Sequence, residues 1–292
     1  MGGVATEAFY LAGADGSARF CMHHAPGKDG PAGAAQALAV KGLLVFLPPW
    51  ADEMNKSRRM VRLQAQQLAA AGFAVLQVDL TGCGDSAGDH GDATWDQWLA
   101  DGLDACTWLM ARYPQTPVIL WGLRSGCLLA CELASRLPTP VSLLLWNPPA
   151  SGRVLWQQFL RLATASALTG DVGKGRADAV KQRLQQGLPV EIAGYEVNAA
   201  LVKGLESSPL KVPEILAGVA LLETGAQATA VLSPANLAAA SQWRAEGHRV
   251  STQRVQGPAF WQTTEIEDAP ALLLATVTAA AALVAPPAAP RP

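Results

Sequence analysis

The hydrophobic residues of this chain form two patterns that take turns along its length. Short, continuous apolar runs are typical of strands buried on both faces of a parallel sheet, whereas apolar residues at helical spacing are typical of amphipathic helices. Two strands are predicted near the amino-terminal end, over residues 7–11 and 17–24. Strands and helices then alternate over residues 43–47, 56–71, 73–79, 95–113, 118–121, 126–137 and 141–146.

Residues 148–210 interrupt this alternation, because their pattern is helical or irregular and carries no strand signal. The alternation resumes with a strand at 218–223, a helix near 235–245, a strand at 249–255 and a last helix over 269–285. Alternating strands and helices predict an α/β protein with a mostly parallel, eight-stranded sheet that helices cover on both faces.

The same pattern predicts how the chain is divided. Residues 1–147 and 211–284 are expected to form the α/β core. Residues 148–210 are expected to form a helical lid above the carboxyl ends of the strands, where open α/β sheets bind ligands. Residues 285–292, rich in proline and alanine, are expected to be a disordered tail.

Composition and charge exclude several classes of function. The net charge of −2 gives no general attraction to nucleic acid or to a membrane surface, and no apolar segment has the length of a membrane span. The five cysteines are odd in number and no basic, apolar leader is visible, so we expect reduced thiols in a cytoplasmic protein. Neither a metal nor a cofactor is expected, because no zinc spacing, Gly-rich phosphate loop or dinucleotide fingerprint is present. Nothing in the sequence sets an oligomeric state.

The strand at 118–121 leads into residues 122–126, Gly-Leu-Arg-Ser-Gly, and an apolar helical stretch follows at once. This is the setting of a nucleophile elbow, Gly-x-Nuc-x-Gly, in which a strained turn lifts one side chain to the top of a parallel sheet. The nucleophile position holds Arg124, whose guanidinium stays protonated and does not attack a carbonyl. The pattern therefore predicts the frame of a hydrolase without its usual nucleophile.

A second segment, residues 84–88, matches Gly-x-Ser-x-Gly by its letters. It follows the strand at 73–79, but loop-forming residues come after it instead of a helix. Because the motif requires strand, turn and helix together, Ser86 is interpreted as a turn residue rather than a nucleophile.

Four segments of the chain resemble the exosortase A system-associated hydrolase 2 family, whose members are α/β-hydrolase-superfamily proteins. The segments are residues 47–60, 79–88, 121–124 and 257–261. The Glu-Met-Asn-Lys-Ser-Arg-Arg run that begins at Glu53 is the specific part, and the similarity covers most of the chain. The resemblance implies the α/β-hydrolase fold and a bacterial protein encoded near exopolysaccharide and protein-sorting genes. It also implies that an arginine at the elbow fits the family's own pattern, and it supplies no particular substrate.

In α/β-hydrolases an acid and then a histidine follow the nucleophile along the chain. The second-last strand is followed by no carboxylate, and Glu223 at its end is a poor substitute. The loop after the last strand contains Trp261 but no histidine, and His248 precedes that strand at the opposite edge of the sheet. We therefore expect no standard Ser-His-Asp triad.

Four residues remain as candidates for catalysis. Ser125 would act as a nucleophile if the turn were rotated, with Asp85 and His90 supplying a base. Asp85 or Glu53 would serve as an acid or base if burial raised its pKa. Under this hypothesis the protein is a hydrolase that acts on an ester, an acyl group or a glycan, and the four residues converge in one cavity.

Arg124 supports a second hypothesis, in which the protein has lost catalysis and binds an anionic ligand or a partner protein. A guanidinium at the start of a helix adds positive charge to the helix N-terminus, so a carboxylate or an anionic ligand must compensate it. The internal partners would be Glu53, Asp52 or Asp85, and the ligand would be a small acidic molecule such as an acidic sugar. The pocket residues expected for this ligand are Trp50, Asn55, Arg58, Arg124, Asn147 and Trp261.

Overall fold

The predicted strands form one eight-stranded, mostly parallel sheet, which confirms the predicted fold class. The computed structural model describes residues 5–13, 16–27, 40–165, 170–227 and 231–286. The predicted tail therefore lies outside the described residues from residue 287 onward. The strands are β1 (Thr6–Ala12), β2 (Ala18–His24), β3 (Leu43–Leu47), β4 (Ala74–Val78), β5 (Val118–Leu123), β6 (Ser142–Trp146), β7 (Val190–Ile192), β8 (Tyr195–Val197), β9 (Gly218–Gly225) and β10 (Val250–Gln256).

The order of the strands places a crevice beside β3. The sheet runs β1-β2-β4-β3-β5-β6-β9-β10, with β2 antiparallel to both of its neighbours and the other pairs parallel. The chain continues from β3 to β4 on one side and then crosses to β5 on the other, so the direction of strand order changes at β3. Open α/β sheets bind ligands at the carboxyl ends of the strands at such a switch point. The loops after β3 and β5 flank this position, and the second of them holds Arg124.

Two layers of buried side chains cover the sheet, one on each face. The helices are α1 (Asp52–Ala70), α2 (Trp95–Arg112), α3 (Ser125–Ala134), α4 (Gly152–Ala165), α5 (Gly170–Gln185), α6 (Ala199–Ser207), α7 (Pro234–Ala245) and α8 (Pro270–Val284). Met60 of α1 and Leu272 of α8 belong to the layer on one face, and Trp98 of α2 and Leu129 of α3 belong to the layer on the other. Strands β3, β5 and β6 are buried over their whole length, which is why they are continuous apolar runs in the sequence.

The segment between β6 and β9 contains α4, α5, the hairpin β7–β8 and α6. The expectation that residues 148–210 carry no strand is wrong, because β7 and β8 pair antiparallel from Val190↔Val197 to Ile192↔Tyr195. The turn between them is Ala193-Gly194, both with positive φ, as a tight two-residue hairpin turn requires. Each strand has three residues, which is too short for a periodic pattern to stand out.

Helix α1 begins at Asp52, earlier than the predicted start at residue 56. The residue before it, Ala51, has φ of 53° and makes no capping hydrogen bond through its side chain, so the usual Ser, Thr, Asp or Asn signal is missing. The early start places Asp52 and Glu53 in the first turn, where the helix dipole favours carboxylates. Within the part of the chain that the structure describes, no helix is both long and apolar enough to cross a membrane.

Candidate functional site

The turn between β5 and α3 is strained and consists of a single residue. Arg124 lies between the two elements with φ of 53° and ψ of −116°, a backbone conformation that residues other than glycine rarely adopt. Such a residue stores on the order of 1–3 kcal/mol of strain and persists only where the surrounding structure holds it. The sharp turn expected from the spacing of Gly122 and Gly126 is therefore present.

Both glycines of the elbow are required by close backbone approach. A Cβ atom on Gly126 would overlap the carbonyl of Leu47 at the end of β3, and one on Gly122 would overlap the backbone of Gly126. The first turn of α3 consequently sits directly against two strands. This packing fixes the position of Arg124 at the carboxyl edge of the sheet.

The side chain of Arg124 connects three parts of the structure. Its Nε donates to the two carboxylate oxygens of Glu53 in α1, at 3.2 Å and 3.4 Å, and its Nη2 donates to Oε1 of Gln158 in α4 at 2.9 Å. The guanidinium carbon lies 5.6 Å from the ring centroid of Trp261, in the loop after β10, which is cation–π range. Of the three internal partners expected for Arg124, the structure selects Glu53.

Glu53 is a carboxyl group with opposing influences on its pKa. Burial raises the pKa above its ordinary value, whereas the charge and hydrogen bond of Arg124 and a hydrogen bond from Gln262 lower it, and burial has the larger effect. The side chain of Glu53 is 18% exposed and that of Arg124 is 11% exposed. The pair therefore lies at the border between the protein interior and a cavity.

A cavity of about 360 Å³ lies above the elbow. Its walls come from the loop after β3, the first two turns of α1, helix α4 and the loop after β10. The lining residues are Trp50, Ala51, Asp52, Glu53, Lys56, Leu155, Gln158, Phe159, Trp261 and Gln262. The indole Nε1 of Trp261 is buried and has no hydrogen-bond partner among the described residues.

The four residues proposed for catalysis do not converge in this cavity. Glu53 is among its lining residues, and Ser125, Asp85 and His90 are not. Ser125 is fully buried, and its Oγ accepts the backbone N–H of Trp50 at 2.9 Å. Asp85 is exposed in a turn next to Asp79, whose Oδ2 accepts the N–H of Asp85 at 3.1 Å. The arrangement expected for a rotated elbow, with Ser125 near a base, is therefore absent among the described residues.

His90 lies between aromatic side chains, and neither Ser125 nor Asp85 is among its hydrogen-bond partners in the described part of the chain. Its ring centroid is 6.3 Å from that of Trp50, 6.1 Å from that of Trp98 and 5.2 Å from that of Tyr195. Its Nδ1 bonds the carbonyl oxygen of Glu196 at 2.8 Å, and burial lowers the pKa of the ring. A neutral imidazole that donates through Nδ1 fits this environment, and the contacts are those of a packing residue that joins the loop after β4 to β8.

Three of the residues expected to bind an anionic ligand have other partners. Asn55 donates to the hydroxyl of Tyr195 at 3.1 Å, and Arg58 pairs with Asp79 at 3.0 Å. Asn147 has φ of 47° at the end of β6, and its Oδ1 accepts the N–H of Thr224 at 3.0 Å. None of the three lines the cavity, so the expected pocket is wrong at these positions. Of the six residues expected, Trp50 and Trp261 line the cavity, and Arg124 contacts residues of its wall.

The positions of the other triad members also hold structural contacts. Glu223, near the end of β9, accepts the N–H and the hydroxyl of Ser233 at 2.8 Å and 2.5 Å and bonds Asn236, so it holds the start of α7. The loop after β10 presents Trp261 to Arg124. Ser86 is buried, and its Oγ donates to the carbonyl oxygen of Asp79 at 2.5 Å. It lies in a turn, as the sequence around it predicts.

Gln158, Phe159 and Gln262 are cavity residues that the sequence did not reveal. Gln158 and Phe159 lie on α4 in the segment between β6 and β9, and an amphipathic helix pattern says nothing about which distant loop the helix will contact. Gln262 follows Trp261 directly and lies one residue beyond the segment 257–261 that carries the family resemblance.

The strand order, the two covered faces and the strained turn between β5 and α3 define the α/β-hydrolase fold. The chain matches the family model described as serine aminopeptidase, S33, over residues 41–200, and it belongs to this family of the α/β-hydrolase superfamily. No curated protein sequence matches the chain.

Solved structures with the same fold are similar over almost the whole chain. Est1E from Butyrivibrio proteoclasticus is 16% identical with a TM-score of 0.60, over 94% of this chain and 96% of that chain. A member of the α/β serine hydrolases without a lid from Xanthomonas campestris is 18% identical with a TM-score of 0.53, over 98% and 97%. A thermostable carboxyl esterase from Bacillus coagulans is 14% identical with a TM-score of 0.54, over 87% and 90%. At these identities the likeness shows the fold.

Proposed function

We propose that this α/β-hydrolase-superfamily protein binds a small polar ligand above the elbow and works without a Ser-His-Asp triad. The observation that carries the proposal is Arg124, which occupies the nucleophile position and is bonded there to Glu53 and Gln158. Among the described residues that line the cavity there is no serine, threonine, cysteine or histidine. A covalent acyl intermediate therefore has no nucleophile at the place where the fold positions one.

The environment of Ser125 supports the same proposal. Hydrolases of this fold stabilise the oxyanion with the N–H after the nucleophile and an N–H from the loop after the first parallel strand. In this chain the N–H of Trp50, in that loop, donates to Ser125 Oγ. The hydroxyl thus occupies a donor that a substrate oxygen would need, and it is itself sealed from the cavity.

The cellular setting that we propose is exopolysaccharide metabolism in the bacterial cytoplasm. Its support is the resemblance of residues 47–60 and the three other segments to the exosortase A system-associated hydrolase 2 family. We propose further that the segment at 148–210 acts as a lid, since α4 supplies Leu155, Gln158 and Phe159 to the cavity wall.

A second candidate function is hydrolysis through a carboxyl group, and Glu53 is the observation that favours it. Burial raises the pKa of Glu53, and the group lines the cavity. A carboxylic acid held neutral by its environment can donate a proton to a leaving group. The contact with Arg124 works against this role, because it stabilises the ionised form.

The test is labelling with a broad fluorophosphonate probe, read by intact mass and peptide mapping, with a serine hydrolase of known reactivity in the same mixture as a positive control. We expect no adduct on any serine of this chain. A stoichiometric adduct on Ser125 would refute the proposal, and one on Ser86 would make the loop after β4 the active site.

The second candidate is tested separately with chromogenic esters and glycosides. Turnover that disappears in Glu53→Gln and persists in Asp52→Asn would establish carboxyl chemistry. Asp52 is the matched control, because it neighbours Glu53 in the same helical turn and lines the same cavity.

A further inference from the structure

We infer that the ligand held above the elbow is a neutral hydroxylated ring, a neutral sugar unit, rather than an acidic one. The inference rests on the proposed function, since it names the ligand class of the same cavity. It departs from the expectation that Arg124 recruits an anion, and the paired charges, the aromatic walls and the amide side chains of the cavity support it independently.

The charges around the cavity are already balanced within the protein. Arg124 is paired with Glu53 at 3.2 Å, and the Nζ of Lys56 lies 2.9 Å from Oδ2 of Asp52. An anionic ligand at Arg124 would compete with Glu53 for the one positive charge there and would place a second negative charge beside a largely buried carboxylate, which is unfavourable. A cationic ligand at Glu53 would place a second positive charge beside Arg124 in the same way. Paired charges of both signs therefore favour a ligand with no net charge.

Three aromatic side chains give the cavity apolar surfaces suited to the C–H faces of a ring. Trp50 and Phe159 have ring centroids 4.5 Å apart and form one wall, although they come from the loop after β3 and from α4. Trp261 forms another wall from the loop after β10. Ligand sites combine such apolar walls with a few placed polar groups, and flat aromatic surfaces accommodate the ring of a small molecule.

The polar groups of the cavity match hydroxyl groups in particular. Gln158 and Gln262 line the cavity, and each side-chain amide carries N–H donors as well as an oxygen that accepts. Asp52 and Glu53 also line the cavity, and their carboxylates accept hydrogen bonds. A hydroxyl both donates and accepts, so neighbouring hydroxyls on one ring can meet both kinds of group.

The size of the cavity sets an upper limit on the ligand. Its volume of about 360 Å³ is near the lower end of the range of roughly 300–1,000 Å³ for small-molecule sites. One ring, or the end unit of a chain, fits such a space better than an oligosaccharide.

The experiment compares three ligands that share one ring and differ in charge: a methyl glycoside, the matching uronic acid and the matching 2-amino sugar. Binding is measured by calorimetry and by saturation-transfer NMR at neutral pH, on the full chain, in the gluco, galacto and manno configurations. We expect the neutral glycoside of at least one configuration to bind about tenfold more tightly than its charged counterparts.

A substitution ties the binding to the cavity. Trp261→Phe reduces the aromatic wall from two fused rings to one, so it should weaken the neutral sugar about five- to tenfold. The control is Trp108→Phe, because Trp108 of α2 stacks on Phe9 at 4.6 Å and does not line the cavity. Equal binding by both variants would overturn the assignment of the ligand to this cavity.

The remaining outcomes each decide between the inference and its rivals. Tighter binding of the uronic acid would overturn the inference in favour of an anionic ligand, and tighter binding of the amino sugar would overturn it in favour of a cationic one. Absence of binding by all nine sugars at millimolar concentration would exclude a sugar unit. These results leave the proposed function standing, whereas a fluorophosphonate adduct on Ser125 would refute the proposed function whichever sugar bound.

Discussion

The two partners of the ion pair between Arg124 and Glu53 are expected to contribute unequally to the stability of the protein. Replacing Arg124 by methionine is expected to destabilise the protein strongly, whereas replacing Glu53 by glutamine is expected to be nearly neutral or stabilising at neutral pH. The reason is that burial dominates the pKa of Glu53, so the attraction of Arg124 does not fully offset the unfavourable burial of the carboxylate. A neutral glutamine removes that penalty, and Gln158 still accepts the Nη2–H of Arg124 at 2.9 Å.

The magnitude follows from what Glu53 can do after losing its partner. A buried carboxylate without a counter-charge becomes protonated, and its penalty is then limited to the free energy of protonation. For a carboxyl with an ordinary pKa of 4.5, this limit is about 3 kcal/mol at pH 7, at about 1.4 kcal/mol per pH unit. We therefore expect Arg124→Met to lower the free energy of unfolding by up to about 3 kcal/mol, and Glu53→Gln to restore most of this loss in the double variant.

The pH dependence has a definite sign. A carboxyl whose pKa is raised on folding stabilises the folded state below its unfolded pKa, and this contribution is lost as the pH rises through the folded pKa. The difference in unfolding free energy between wild type and Glu53→Gln should therefore fall as the pH increases from about 4.5 toward neutral. Arg124→Met should widen this window upward, because the group that lowers the pKa of Glu53 is gone.

Urea unfolding of the four proteins at several pH values between about 4.5 and 7 measures these quantities, and contributions common to all four cancel in the differences. Asp52→Asn is the matched control, since Asp52 is 52% exposed and its pair with Lys56 should contribute less than about 1 kcal/mol. If Arg124→Met were no more destabilising than this control, or if Glu53→Gln failed to rescue it, the pairing of Arg124 with Glu53 would not hold in solution.

Three further predictions concern the core. Asp101→Asn should lower the free energy of unfolding by about 3–5 kcal/mol, because Asp101 pairs with Arg19 at 2.6 Å with both side chains fully buried; a urea midpoint within error of wild type would contradict this. Burial lowers the pKa of His23 and His24 to about 4. As the pH falls below about 6.5, the free energy of unfolding should therefore decrease by up to about 1.4 kcal/mol per pH unit for each histidine, and His24→Gln should remove the contribution of one of them. All five cysteines are buried, and burial raises the pKa of Cys106 to about 12, so the native protein should leave a thiol reagent unconsumed and react with five equivalents only when unfolded.

The fold was predictable because its strongest signals are local. Strands β3, β5 and β6 are buried on both faces, so each appears in the sequence as a continuous apolar run that hardly depends on its neighbours. The predicted start of α1 is later than the observed one because Ala51 carries no capping side chain. The pattern does not predict the hairpin of β7 and β8 because three residues per strand are too few to show a periodicity.

The site was predictable only where one segment carries the information. The spacing of Gly122 and Gly126 around Arg124 comes from backbone contacts inside the strand–turn–helix unit, and the structure has that geometry. Convergence of Ser125, Asp85 and His90 depended instead on the direction of each side chain. The sequence alone does not distinguish a serine, an aspartate and a histidine that act in catalysis from the same residues in structural roles. Only their tertiary contacts show that here the hydroxyl is buried, the carboxylate lies in an exposed turn and the imidazole is packed among aromatic rings.

The strained backbone at Arg124 favours a functional site over an inherited turn that has lost its role. A residue other than glycine at φ of 53° is costly, and an elbow with no nucleophile could relax to a glycine or a longer turn. Here the strained turn aims a guanidinium at Glu53, Gln158 and Trp261, which come from three separate elements. The same turn that presents a nucleophile in other members of the fold therefore assembles the walls of a cavity in this protein. Arg124→Gly separates the two roles: it should relieve the strain, yet it should loosen α4 and abolish the proposed sugar binding. A variant that gained stability and kept the ligand would show that the arginine is dispensable to the proposed site.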